Sequence, residues 1–319
     1  MKTIAVLTSG GDAPGMNAAI RAVVRAGIAM GMNVKGVHRG YAGLIDGDII
    51  DLDARSVSDI IHCGGTMLYT ARCPEFKTQE GIDMAVATCK KHGIEGIVVI
   101  GGDGSFRGAR DLSLAGIPCI GVPGTIDNDI SSTEYTIGYD TAMNTAMEMV
   151  DKIRDTAQSH DRCSVVEVMG RRAGFLALQC GIAVGATSIL VPEEEYPIEK
   201  VIEKIRKSQA TGKKHFIIVV AEGVGNVESL AKEIEEKTRI ETRATILGHV
   251  QRGGSPTCWD RVVATKMGYY AVELLANGAE NRVVAMKNGK LVDYDIVEAL
   301  DMKKRYDERL HTLLGELAI

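Results

Sequence analysis

Val98-Val99-Ile100-Gly101-Gly102-Asp103-Gly104-Ser105, followed downstream by Pro123-Gly124-Thr125-Ile126-Asp127-Asn128-Asp129, decides the reading of this chain. Each stretch is an apolar run that ends in small residues and a carboxylate. The first predicts a buried strand that stops at a glycine loop and turns into a helix. That arrangement aims backbone N–H groups and a helix N-terminus at an anion. An aspartate in such a loop repels phosphate itself but can hold the Mg²⁺ that a phosphate brings. The second stretch places Thr125, Asp127 and Asp129 on one face if its backbone is extended. A polyphosphate loop beside a spare carboxylate points to phosphoryl transfer.

The same pattern recurs outward from this segment. Ile4–Leu7, Val34–Val37, Ile97–Ile100, Cys119–Val122, Ser164–Val168, Ile189–Val191, Phe216–Val220 and Ala244–Leu247 read as strands. Helical periodicity fills Met16–Met30, Gly81–His92, Thr141–Gln158, Ile198–Ser208, Ser229–Lys237 and Arg261–Leu275. Strands alternating with helices predict an α/β fold with parallel, doubly covered sheets. Ligands in such folds sit at the carboxyl ends of strands. Asn288-Gly289 between two apolar runs predicts a β-hairpin turn. At 319 residues the chain suits two domains. Thr141–Gln158 is the expected junction, with a second α/β unit from about Cys163 to Leu247.

Composition narrows the function. Aromatic residues make up 4 %, too few for the stacking platforms of single-strand nucleic-acid binders. The net charge of −5 argues against general nucleic-acid or anionic-membrane binding. The seven cysteines are odd in number and no two have CxxC spacing, which speaks against a disulfide framework or a structural zinc and for a reducing, cytoplasmic setting. Neither a signal peptide nor a membrane span is expected.

Charge for an anionic ligand must then come from local clusters. Ser9-Gly10-Gly11-Asp12 follows the first strand and opens a helix, a second candidate phosphate loop. Arg72, Arg162, Arg171, Arg243 and Arg252 fall near predicted strand ends or turns, where guanidinium forks bind phosphate oxygens. His249 is a candidate donor to phosphate or hydroxyl. Glu222, just past a strand, can accept hydrogen bonds from sugar hydroxyls.

These residues in this order resemble the bacterial-type 6-phosphofructokinases. The resemblance runs from Lys2 to the C-terminus. It rests on GGDGS at 101–105, PGTIDND at 123–129, and the spacing of Arg243, Gly248-His249, Gln251-Arg252-Gly253-Gly254 and Asp260-Arg261. It implies two doubly wound α/β/α sandwich domains with mostly parallel sheets and the active site in the cleft between them. It also implies interleaved domains: 1–138 with 251–301 for ATP, and 139–250 with 302–319 for the sugar phosphate.

The implied reaction is glycolytic transfer of the γ-phosphoryl of MgATP to the 1-hydroxyl of fructose 6-phosphate. Gly11, Tyr41, Arg72, Cys73, Lys77, Gly102, Asp103, Gly104, Ser105 and Gly108 would bind ATP, with Asp103 holding Mg²⁺. Asp127 would be the base, assisted by Thr125, Arg72, Arg171 and Asp129. Met169, Gly170, Arg171 and Glu222 would hold the sugar, and Arg162, Arg243, His249 and Arg252 its 6-phosphate. The enzymes of this family are homotetramers in which Arg162 and Arg243 reach a neighbour's site.

A second, regulatory site for ADP or phosphoenolpyruvate would use Arg21, Arg25, Asp59, Arg154, Lys213, Lys214 and His215. Two positions depart from the family pattern there. Thr187 stands where a glutamate is usual and Thr211 where an arginine is usual. The alternative reading is a pyrophosphate-dependent relative. Those typically carry aspartate at position 104 and lysine at 124, whereas both are glycine here. A passive two-lobed sugar binder is the rival from another class, and it has no need of Asp103 and Asp127 beside two glycine loops.

Overall fold

The computed structural model describes residues 1–195, 197–307, 309 and 310, so the final part of the expected 302–319 segment lies outside the described residues. The chain forms two compact units. The first comprises Met1–Ile126, Ile130–Thr141 and Arg252–Lys304; the second comprises Asp127–Asp129, Ala142–Gln251 and described residues from Arg305 onward. Compared with the boundaries expected from sequence, 127–129 and Gln251 fall in the second unit, and 139–141 and 302–304 in the first.

The first unit is built on a seven-stranded sheet. Its elements are β1 (Thr3–Ser9), α1 (Met16–Ala29), β2 (Asn33–Val37), α2 (Tyr41–Asp46), β3 (Ile49–Leu52), α3 (Gln79–Lys91), β4 (Gly96–Gly101), α4 (Asp103–Leu114) and β5 (Cys119–Pro123). After the second unit it resumes with α9 (Cys258–Ala276), β10 (Arg282–Lys287), β11 (Lys290–Asp295) and α10 (Ile296–Asp301). The strand order is β11-β10-β5-β4-β1-β2-β3. β2, β1, β4, β5 and β10 run parallel, while β3 and β11 pair antiparallel at the two edges. The Asn288-Gly289 hairpin forms as expected, closed by Lys287 opposite Lys290.

Strands β1, β4 and β5 are almost wholly buried, which is why their sequences are continuous apolar runs rather than alternating ones. Leu7, Val99, Phe106 and Leu112 lie in one core under this sheet. Helix α9 packs on α1 so closely that a Cβ at Gly268 would stand 2.7 Å from the Ala19 carbonyl.

The second unit carries a four-stranded parallel sheet of order β7-β8-β6-β9. Its elements are the helix α5 (Tyr139–Ser159), which enters from the first unit, β6 (Cys163–Val168), α6 (Phe175–Ala183), β7 (Ser188–Leu190), α7 (Ile198–Ala210), β8 (Phe216–Ala221), α8 (Val227–Thr238) and β9 (Thr242–Ile246). Val165, Phe216, Ile218 and Val220 pack with Val201, Ile205 and Ile234 of α7 and α8. Among the described residues no helix is long and apolar enough to cross a membrane, and all seven cysteines are free.

Candidate active site

The chain leaves β1 toward β2 on one side and later returns to β4 on the other. The carboxyl ends of β1 and β4 therefore flank the point where the strand order reverses. There the loops that follow diverge and leave a crevice. Both glycine loops fall at this point, because Ser9, the last residue of β1, is level with Gly101, the last of β4. Ser105 Oγ donates to the Ser9 carbonyl at 3.0 Å and ties the loops together.

Gly102 precedes α4 in extended conformation and Asp103 is the first residue of the helix. Asp103 is thus in the first helical turn, where the free N–H groups and the positive end of the helix dipole favour anionic groups. A Cβ at Gly102 or Gly104 would meet nothing within 4 Å, so the loop has an open face above both. At Gly101 the reverse holds, since a Cβ would collide with Ser105 Oγ and the Ser9 carbonyl at 2.4 Å.

Tyr41 begins α2, is buried, and stacks on Phe76 with ring centroids 4.1 Å apart. Its hydroxyl donates to the Ser105 carbonyl at 2.5 Å, and its ring fills the space a Cβ would need at Gly108. Burial pushes the phenol's pKa well up, so it remains a donor. Tyr41 and Gly108 thus brace α4 from below. Cys73 is half-buried with Sγ near the Glu75 carboxylate, and burial raises its thiol's pKa. Arg72 and Lys77 are exposed on the same segment.

That segment is latched to β1 and α1 by bonds the sequence did not announce. Thr8 Oγ1 donates to the Tyr69 carbonyl at 2.8 Å, and Thr70 Oγ1 to the Gly10 carbonyl at 2.7 Å. The buried Asn17 amide donates to the Cys63 and Gly64 carbonyls and accepts from Met67 N–H. Arg252 lies against the first glycine loop: Nη1 donates to the Asp12 carbonyl at 3.1 Å and a Cβ at Gly11 would stand 2.6 Å from it.

The second motif departs from the extended expectation. Residues 126 and 127 form a turn, and Asn128 adopts a left-handed backbone at φ +49°. Asparagine tolerates that region better than most residues. Thr125, Asp127 and Asp129 therefore do not share one strand face. Thr125 and Asp127 are buried and Asp129 is half-buried. The segment is held by Thr125 N–H to the Ile137 carbonyl at 3.1 Å and Thr136 Oγ1 to the Thr125 carbonyl at 2.7 Å. Next to it, fully buried Asp260 accepts from Tyr135 hydroxyl, Gly138 N–H, and the N–H and hydroxyl of Thr141. Asp260 belongs to the signature spacing, but only the fold reveals this anchoring.

In the second unit, Met169-Gly170-Arg171 follows the carboxyl end of β6 and Glu222 that of β8. The Glu222 carboxylate accepts from the Arg171 backbone N–H, and Glu222 N–H donates to the Val168 carbonyl at 2.9 Å. Arg171 is exposed, with a left-handed backbone at φ +58° beside Gly170 at φ +142°. Such conformations cost energy for a non-glycine residue and cluster where a side chain must be aimed. Burial, and then the Glu222 charge, push up the pKa of Glu167 on β6. Fully buried Gln251 accepts from Met169 N–H at 3.3 Å and donates to the Gly248 carbonyl at 3.1 Å, joining the ends of β6 and β9. His249 is exposed on that turn.

Arg162 and Arg243 are not with this group. Arg162 precedes β6 and Arg243 is the second residue of β9, so both lie at the amino edge of the four-stranded sheet. A strand of this length separates the two edges by on the order of 20 Å. Both arginines grip one carboxylate, Glu241.

The expected regulatory residues divide between the units: Arg21, Arg25 and Asp59 in the first, Arg154, Lys213, Lys214 and His215 in the second. Lys213 has its pKa lowered by burial and then by the Arg154 charge. Arg154 Nη2 donates to the Val184 carbonyl, and Lys214 Nζ is 3.8 Å from Asp161. Thr187 is buried, and Thr211 Oγ1 donates to the Ser208 carbonyl at 2.8 Å at the end of α7.

Comparison with known proteins gives a consistent picture. The phosphofructokinase family model matches residues 3–275. An ATP-dependent 6-phosphofructokinase of Bacillus subtilis (strain 168) is 57% identical over 319 residues, 100% of both chains. One from Clostridium botulinum (strain Hall) is 58% identical over 313 residues, 98% of both. Phosphofructokinase from Saccharomyces cerevisiae superposes with a TM-score of 0.87 at 36% identity, over 100% of this chain, which spans 47% of the yeast chain. A pyrophosphate-dependent phosphofructokinase from Marinobacter aquaeolei shares the fold, with a TM-score of 0.85 at 21% identity over 97% of this chain and 86% of that one.

Proposed function

The chain belongs to the phosphofructokinase family, and from that premise we infer how its residues divide the work of one reaction. It is a kinase that transfers the γ-phosphoryl group of ATP to the 1-hydroxyl of fructose 6-phosphate, giving fructose 1,6-bisphosphate and ADP. The observation that carries the site assignment is the pair of glycine loops level with each other at the switch point between β1 and β4.

ATP binds with its phosphates over the open face of Gly102 and Gly104 and the N-terminus of α4. Gly11, Arg72, Cys73 and Lys77 line the same nucleotide, while Tyr41 and Gly108 support the helix. Mg²⁺ fits this loop as a companion of the nucleotide. Among the described residues no group of three or more His, Cys, Asp or Glu side chains could hold a metal ion. Asp103 offers one carboxylate, which suits an ion that arrives on phosphate oxygens and keeps several waters. When bound, the ion offsets negative charge on the transferring group.

Asp127 takes the proton of the 1-hydroxyl as the new O–P bond forms. Thr125, Arg72 and Arg171 place donors on the phosphoryl oxygens, and Asp129 completes the loop. Met169, Gly170, Arg171 and Glu222 orient the sugar, and His249 and Arg252 contribute to its 6-phosphate. Binding energy at that remote phosphate aligns the reacting hydroxyl.

Arg162 and Arg243 also serve a 6-phosphate, but in a neighbouring subunit. Their position at the amino edge of a sheet whose sugar-binding residues lie at the carboxyl edge supports a shared site in a homotetramer. The free cysteines suit the reducing cytoplasm.

Coupled detection of fructose 1,6-bisphosphate, with ATP and then pyrophosphate as donor, tests the assignment. Turnover with ATP that is abolished by Asp103→Ala and Asp127→Ala supports it. Variants of both residues that keep near-native turnover would remove the site from this place.

A further inference from the structure

Glu241 joins the two arginines at the amino edge of the four-stranded sheet. Its Oε2 is 2.8 Å from Arg162 Nε. Its Oε1 accepts from Arg243 Nε at 3.0 Å and Nη2 at 2.8 Å. The backbone fixes the arrangement, because Cys163 N–H donates to the Glu241 carbonyl at 3.0 Å and Ser164 pairs with Arg243 across β6 and β9. Thus one carboxylate holds two guanidinium forks side by side. Among the described residues, the Nη groups of Arg162 and Nη1 of Arg243 are left for another acceptor. The two arginines hold the Glu241 carboxyl below its ordinary range, Arg162 most of all, so it is ionised at neutral pH.

We propose that Glu241 is a positioning residue for phosphate-monoester binding, setting Arg162 and Arg243 in register before the sugar phosphate arrives. The proposal rests on the reading of those two arginines as 6-phosphate ligands. Two effects of Glu241 oppose each other. Its charge cancels one of two positive charges and so weakens attraction for a dianion. Its hydrogen bonds to Arg243 and its ion pair with Arg162 remove rotamer freedom that binding would otherwise have to remove. The Arg243 side chain is 65% exposed and the Glu241 side chain 45%, whereas that of Arg162 is 21% exposed. Water and salt screen the charges of Glu241 and Arg243 at that exposure. The cost of ordering a long exposed arginine is not screened. Pre-organisation is therefore the larger effect, and Glu241 helps binding although it is an anion beside an anion site.

The sign makes the test decisive. Glu241→Gln can still accept from Arg243, but its amide N–H₂ faces Arg162 in place of an acceptor. KM for fructose 6-phosphate should rise about threefold to tenfold, with kcat at saturation within about twofold and KM for ATP unmoved. A KM that is unchanged, or that falls because positive charge was gained, would overturn the proposal. If Glu241→Gln folds poorly, Glu241→Asp keeps the charge and shortens the reach, and the same KM comparison applies. Arg162→Ala and Arg243→Ala are measured alongside. Unchanged KM in both would sink the 6-phosphate reading itself, whereas raised KM in both with native KM in Glu241→Gln sinks only the role of Glu241.

Discussion

Arg162 and Arg171 bound the same strand at opposite ends: the first precedes Cys163 and the second follows Val168, Met169 and Gly170. One chain cannot turn both toward one sugar phosphate across a parallel strand. On the proposed assignment of both arginines to a single sugar phosphate, two copies of the chain would be needed to complete one site.

That implication has a direct test in mixed assemblies. The Arg162→Ala and Asp127→Ala proteins should each be weak or inactive. Co-refolded from equal amounts, they should regain up to about a quarter of native sites, those pairing an intact Asp127 with a neighbour's intact Arg162. No gain over the separate variants would mean that each chain completes its own site.

Asp127 is buried within a turn whose backbone is tied to Ile137. Replacing it with alanine should lower kcat by several orders of magnitude while fructose 6-phosphate affinity stays within about tenfold. Steady-state kinetics with binding measured separately will resolve the two. Near-native kcat would strip Asp127 of the role of base.

Donor choice should follow Gly104. The space over its Cβ is open, so Gly104→Asp should fold normally yet place a carboxylate against the nucleotide phosphates. kcat/KM with ATP should exceed that with pyrophosphate in the native protein and fall about tenfold or more in the variant, at unchanged Tm. Gly124→Lys is a harsher change, because its Cβ would stand 3.1 Å from Ile100 and 3.2 Å from Met16. A native preference for pyrophosphate would contradict the donor assignment.

Regulation should be shallow. Thr211 spends its hydroxyl on the end of α7, and Thr187 is buried without the charge of a glutamate. Losing one arginine fork at a phosphate site removes about 1.5–3 kcal/mol, a roughly tenfold to hundredfold loss in affinity. Arg154 and Lys213 keep their positive charges in the second unit, so the expected site is not stripped of cations. Titration of ADP and phosphoenolpyruvate at subsaturating fructose 6-phosphate should show weak effects at high concentration. Strong effects at micromolar levels would show that other groups compensate.

The buried strands were legible because a doubly covered parallel sheet demands unbroken apolar runs, and β1, β4, β6 and β8 have them. Helix α6 was not, since Phe175–Ala183 is apolar on nearly every side and shows no helical period. α2 and β3 are too short to leave a pattern. The site residues were legible as residue types, but their directions were not. Asn128 turns the backbone where an extended run was expected, and sequence spacing alone does not say which edge of a sheet Arg162 and Arg243 occupy. Glu241, Gln251 and Asp260 act by joining segments far apart in the chain, which only strand pairing reveals.

The five crossings of the chain between its units set an order of completion during synthesis. The four-stranded sheet draws all its strands from the continuous stretch Ala142–Gln251, so every strand it needs has been made once β9 leaves the ribosome. The seven-stranded sheet starts at Thr3 but lacks β10 and β11 until residues 282–295 are made, and α1 lacks its partner α9 until residues 258–276 are made. The sheet that begins first is the one that closes last. During that interval α1 presents to chaperones and proteases the face that Gly268 later covers.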